Sequence, residues 1–247
     1  MKRLLLAVLL LSACAPAAVR TAPPAFQASF SEGGVLWNEG GKVTLARFPA
    51  FRKVSVNLPA LATAVGWQTA NQSTVPWVAL GGLGLLVTAD GRPATVQAGP
   101  VVAMSSGLLY RQDGSAVAYD GVGSGSGLLG APDAVVTGGD GHDYAVQDGK
   151  LYRLEGGKQT LLSSAAQPYL YTEPGGAGTA NAPTVVTQSG RYTLTGAVLE
   201  RRDGAGALLA SLPHPAGLVG AVGSLIVTVQ PGGTLRVFAP DLKELQP

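Results

Sequence analysis

Six of the nine aspartates stand directly before a glycine, at Asp90, Asp113, Asp120, Asp140, Asp148 and Asp203. Both residues of an Asp-Gly pair tolerate positive φ, which the two-residue type I′ turn requires because its twist matches that of the strands it joins. A chain punctuated in this way is a chain of hairpins. Between the turns the side chains alternate, as in Lys53-Val54-Ser55-Val56-Asn57-Leu58 and Arg191-Tyr192-Thr193-Leu194-Thr195, so each of these strands has one apolar face. No window of about ten residues combines a helical period with caps. Charged residues make up only 13% of the chain, too few for a coiled coil or helical bundle, and the 46% apolar content excludes a disordered chain. An all-β fold is expected.

A longer repeat lies above the hairpins. Four segments, at 100–107, 132–138, 183–190 and 215–223, each open near a proline and run through a valine- or alanine-rich stretch to a glycine. Shorter strand-like pieces follow each one. The clearest unit reads Ala134 to Thr137, then Tyr144-Ala145-Val146, Leu151-Tyr152-Arg153-Leu154 and Thr160-Leu161-Leu162. The same order can be followed at 183–212 and 215–246, with degenerate copies at 26–59, 62–99 and 100–131. Units of about 37 residues match the size of a four-stranded propeller blade. A β-propeller of six four-stranded blades over 26–247 is therefore the expected architecture, its core supplied by radial stacking, with five or seven blades, two packed sheets, or a propeller broken by the Gly-rich segments as the alternatives.

The N-terminus reads as an address. Lys2 and Arg3 precede an apolar run from Leu4 to Leu11, which is too short to span a bilayer, and Ser12 and Ala13 supply small residues before Cys14. Leu11-Ser12-Ala13-Cys14 resembles the bacterial lipobox. That resemblance implies that residues 1–13 are a removed leader, that Cys14 carries acyl chains, and that 14–25 tether the domain to a membrane on its periplasmic or outer side. Cys14 is the only cysteine, so no disulfide contributes to the fold. Without Lys2 and Arg3 the net charge of +2 falls to zero, which leaves no electrostatic footprint for nucleic acid.

Three stretches carry a second resemblance. Gly149-Lys150-Leu151-Tyr152-Arg153-Leu154-Glu155-Gly156-Gly157-Lys158-Gln159-Thr160-Leu161-Leu162, the segment 233–245 and the segment 198–209 are similar to the quinoprotein-type propeller repeat. The Trp that closes that repeat is missing from all three, so the resemblance implies the architecture and no quinone cofactor. A lipid-anchored propeller of this kind also resembles the scaffold lipoproteins of outer-membrane protein assembly.

Candidate chemistry is sparse. Gly125-Ser126-Gly127-Leu128-Leu129-Gly130 matches a dinucleotide fingerprint in letters, but no helix follows to receive a pyrophosphate, and the segment reads as a loop. With two histidines a three-His zinc site is impossible, and no metal is expected. His142, in Gly139-Asp140-Gly141-His142-Asp143, reads as a hairpin tip, and His214, between two prolines, as a linker residue. Trp37, Trp67 and Trp77 read as packing residues. The segment 164–182 reads as a long exposed loop, and Tyr169, Tyr171 and Glu173 within it form the candidate binding patch.

The function expected from these features is that of a monomeric, membrane-anchored envelope lipoprotein whose propeller binds or scaffolds an envelope protein, without a cofactor. A propeller hydrolase or lyase acting in the central channel is the rival class, and a small-ligand-binding surface lipoprotein is the third. The rival needs ionisable groups clustered at the channel.

Overall fold

The computed structural model describes residues 26–71 and 73–246. The leader, Cys14 and the tether lie outside these residues. Six antiparallel four-stranded sheets and one two-stranded sheet follow one another along the chain, each built from consecutive strands. They occupy 26–57, 62–97, 101–124, 134–163, 169–180 (the two-stranded one), 184–213 and 218–245. There is no α-helix among the described residues. The four-stranded sheets coincide closely with the six units legible in the sequence.

The first strands of the sheets stand side by side in a ring. In order they are Phe26–Ser31, Ala62–Ala70, Val101–Met104, Ala134–Thr137, Tyr169–Glu173, Thr184–Thr187 and Leu218–Val222, and the last packs back against the first. The ring thus has seven positions, one of them filled by a sheet half the usual width. The expected long loop at 164–182 is in fact this hairpin: Tyr169–Glu173 pairs with Gly176–Ala180 around Pro174-Gly175.

The core lies between sheets, because a sheet with one neighbour on each side must bury both faces. Trp67 packs between the first and second sheets with Leu36, Val43 and Val78. Trp77 packs between the second and third with Leu86, Leu109 and Tyr119. Trp37 packs between the first and seventh, where Val35, Ala46 and Phe51 meet Val222, Val227, Val229 and Val237. The first and last sheets share no strand, so side chains close the ring. Gly220 is part of that closure, since a Cβ there would fall 2.2 Å from the Phe30 ring. Lys53 Nζ donates to the Gly233 carbonyl (2.9 Å), and the Gly232 amide donates to Glu39 Oε1 (2.7 Å), across the same seam.

The turns keep the expected positions but not the expected type. Only at Asp148-Gly149 are both residues at positive φ (50° and 68°), as type I′ demands. At Asp113, Asp120 and Asp140 the loop has three residues: a β-turn closes onto the following glycine, and the aspartate side chain accepts the amide two residues on. The carboxylate replaces a backbone acceptor in these loops, so Asp is needed there for its oxygen rather than for positive φ.

Candidate functional site

The inner strands enclose a central channel of about 880 Å³. Its wall is built from short or apolar residues such as Val65, Val102, Met104, Val136, Thr184 and Leu218. Asp133 is the one carboxylate among the residues that line it.

The predicted patch lies on the fifth sheet. Tyr169 reaches the channel wall and is 38% exposed, whereas Tyr171 is 7% exposed. Alternation along the strand sends Leu170 toward Tyr144 and Val146 of the fourth sheet, and Tyr171 and Glu173 toward the sixth. The Arg191 guanidinium lies over the Tyr171 ring at 5.3 Å from its centroid, and one of its nitrogens is 3.2 Å from Glu173 Oε1. Burial, then the hydrogen bond that the Tyr171 hydroxyl donates to Glu173, pushes the phenol above its usual range. Gly178, opposite Tyr171, leaves room for this arrangement: a Cβ there would stand 2.6 Å from the phenol oxygen. Tyr171 and Glu173 are thus brought together as a joint between two sheets and not as a loop tip, while Tyr169, on the same strand, faces the channel. Arg191, which completes the joint, had no local signal, because it meets the patch only across the sheet interface.

A second polar group lies between the third and fourth sheets. Asp143 Oδ2 accepts from Ser105 Oγ and from the Tyr110 hydroxyl, each at 2.6 Å, and Oδ1 accepts from Thr137 Oγ1 at 2.8 Å. Thr137 Oγ1 in turn takes the Ser106 amide at 3.0 Å. Burial, reinforced by the neighbouring Asp143 charge, raises Tyr110 far above the ordinary phenol range, so it stays a hydrogen-bond donor. The cluster backs a cavity of about 470 Å³ that His142, Ser124 and Glu155 also line. Sequence reading missed it because its members come from separate segments. His142 does sit at a turn, its amide held by Asp140 Oδ1. Gly125 and Ser126, from the supposed fingerprint, lie in a loop on the wall of this cavity.

His214 does lie in the 214–217 connection between the sixth and seventh sheets, but as a packed residue. It is 2% exposed, with Nδ1 2.6 Å from the Pro215 carbonyl and Nε2 2.8 Å from Thr228 Oγ1. A carbonyl can only accept, so Nδ1 carries the proton and Nε2 accepts from the threonine hydroxyl. Burial lowers its pKa. Among the described residues no three of His, Cys, Asp and Glu converge to hold a metal ion.

No protein-family model and no curated protein matches the chain. Among solved structures it is similar to a protein of unknown function from Bacteroides thetaiotaomicron, with a TM-score of 0.51 and 10% identity over 84% of this chain and 68% of that one. It is also similar to BamB from Moraxella catarrhalis (TM-score 0.49, 11% identity, 85% and 83% of the two chains). A streptogramin B lyase gives a TM-score of 0.46 at 13% identity over 90% and 83%. At such identities a likeness is one of fold alone; it is the closed ring of radially packed antiparallel sheets that makes this fold a β-propeller.

Proposed function

We propose that this chain is a bacterial envelope lipoprotein, held to a membrane through acylated Cys14, whose propeller acts as a binding and scaffold module for a protein partner. The observation that carries this reading is where the unsatisfied chemistry lies. Three of the interior polar groups are satisfied within the molecule: Asp143 takes three hydroxyl donors, Asp90 takes Arg47 and Arg92, and both His214 nitrogens are engaged. Apolar side chains, by contrast, stand half-exposed on the outer strands at Val54, Val56, Leu161, Leu162, Leu208 and Leu209. Exposed apolar area rimmed by polar groups is the chemistry of contact between proteins rather than of bond cleavage.

The anchor is tested by fractionation. Cys14→Ser is expected to move the protein out of the membrane fraction, and retention after a high-salt wash would contradict the anchor. The scaffold role is tested with a photo-cross-linker at Tyr169, the exposed member of the patch. A single cross-linked envelope protein is expected, lost on Glu173→Arg. Absence of any cross-link from the membrane-bound protein would contradict the role.

A further inference from the structure

The fifth position of the ring is half-filled. Among the described residues no further strand lies outside Gly176–Ala180, while the fourth and sixth sheets on either side each carry two more. The flanking faces match that difference. In the sixth sheet Tyr192 and Leu199 turn toward the seventh sheet and are fully buried. Their neighbours Arg191, Glu200 and Arg202 turn toward the fifth, with side chains 48%, 26% and 41% exposed. In the fourth sheet Tyr144 and Leu151 are covered by the fifth, but farther along the Leu151 strand, on the same face, Arg153 is half-buried and Glu155 exposed. Positions that a full-width neighbour would bury are thus occupied by ion-paired residues that stay partly or fully exposed. The outer strands flanking the fifth position carry the exposed pairs Leu161-Leu162 and Leu208-Leu209.

We propose that the two strand places outside Gly176–Ala180 form a docking slot for a β-hairpin of the partner protein, which completes the fifth sheet by main-chain hydrogen bonding. The inference rests on the scaffold reading and adds the partner's chemistry. Gly176–Ala180 reads Gly-Ala-Gly-Thr-Ala, with none of the Lys or Pro that natural proteins place on an edge strand to block pairing. The edge is recessed by two strand spacings, about 10 Å, which is the width of a hairpin. A second copy of this chain does not fit: its own free edge is recessed in the same way, and its other outer strands belong to four-stranded sheets packed around the rim. Inside the slot the hairpin's side chains face Arg153 and Glu155 on one wall and Glu200 and Arg202 on the other, which suits short hydroxyl or amide groups. Its outer strand meets Leu162, Leu208 and Leu209, which suits apolar ones.

The test titrates full-length protein in detergent with a disulfide-cyclised hairpin peptide carrying threonines on its inner strand and valines on its outer strand. Amide exchange over 176–180 is expected to slow by about tenfold, and the same peptide N-methylated at alternate inner-strand amides is expected to leave exchange unchanged. Equal slowing by both peptides, or slowing confined to other strands, would overturn the proposal. The double variant Leu162→Arg, Leu208→Arg, at exposed positions, is expected to weaken the unmethylated hairpin by about tenfold at an unchanged melting temperature; unaltered affinity would overturn it. Self-association in sedimentation, abolished by Thr179→Lys, would assign the slot to a second copy and likewise overturn it. If the hairpin fails while Tyr169 still cross-links an envelope protein, the slot is wrong and the scaffold reading stands; if both fail, both are wrong.

Discussion

Where the seventh sheet meets the first, Trp37, Phe51, Val222, Val227 and Val237 pack in an apolar cluster that is almost wholly buried. Where the fifth meets the sixth, the contact is Arg191 over the Tyr171 ring, with Glu173 on its guanidinium, and no apolar cluster spans it among the described residues. The first joint brings the two ends of the domain together without a shared strand, so apolar burial holds it, helped by the Lys53 and Gly232 hydrogen bonds across the seam. The second is crossed by the chain itself, through residues 181–183, and covalent connection keeps its halves near each other whatever their contact energy. The joint without a chain connection is apolar, as are those around Trp67 and Trp77, whereas the polar, partly hydrated joint lies where connectivity makes it tolerable.

Removing Trp37 attacks the closure directly. Trp37→Ala is expected to cost about 3–5 kcal/mol in chemical denaturation, enough to leave a marginal domain open. At the other joint Tyr171→Ala is expected to cost about 2 kcal/mol. It is not silent, as a loop residue would be, because the ring is buried and supports Arg191. Arg191→Gln, which keeps an amide but removes the charge from a half-exposed site, is expected to cost about 0.5–1 kcal/mol, and less at high salt. If Arg191→Gln destabilised the protein as much as Trp37→Ala, the two joints would not differ as described.

The smallest effect concerns pH, at a third joint between the sixth and seventh sheets. His214 is buried there beside Phe238, with its pKa lowered by that burial. Its folded-state pKa lies below the unfolded value of about 6.5. Below that value the unfolded chain takes up a proton that the folded one refuses, so its contribution is complete above pH 6.5 and declines as the pH falls toward the folded pKa. His214→Gln, whose amide can bond both Pro215 and Thr228, is expected to flatten the loss of melting temperature between pH 7 and pH 5. An unaltered slope would show that another group is responsible.

The repeat was legible because four of the six four-stranded units open with a run such as Pro132-Asp133-Ala134-Val135-Val136-Thr137-Gly138, whose composition and punctuation are local properties. The fifth sheet was not. Tyr169-Leu170-Tyr171-Thr172-Glu173 sends Leu170 to one neighbour and Tyr171 to the other, so no single face is apolar, and Gly-Ala-Gly-Thr-Ala contains hardly any residue that favours a strand. The turns were located by their Asp-Gly pairs, but their type depended on whether the carboxylate could reach the amide two residues on, which composition does not specify. Within the candidate patch Tyr169, Tyr171 and Glu173 were found because they are neighbours in sequence. Arg191 and the Asp143 cluster were missed because only the packing of one sheet on the next brings their partners together.

Amide exchange under native conditions, followed strand by strand around the ring, tests most directly whether the joint between the fifth and sixth sheets is the weakest. The inner strand Tyr169–Glu173 is expected to open at a lower free energy than Phe26–Ser31 and Leu218–Val222, which the closing cluster ties together. Protection of Tyr169–Glu173 equal to or greater than that of the closing strands would contradict the account.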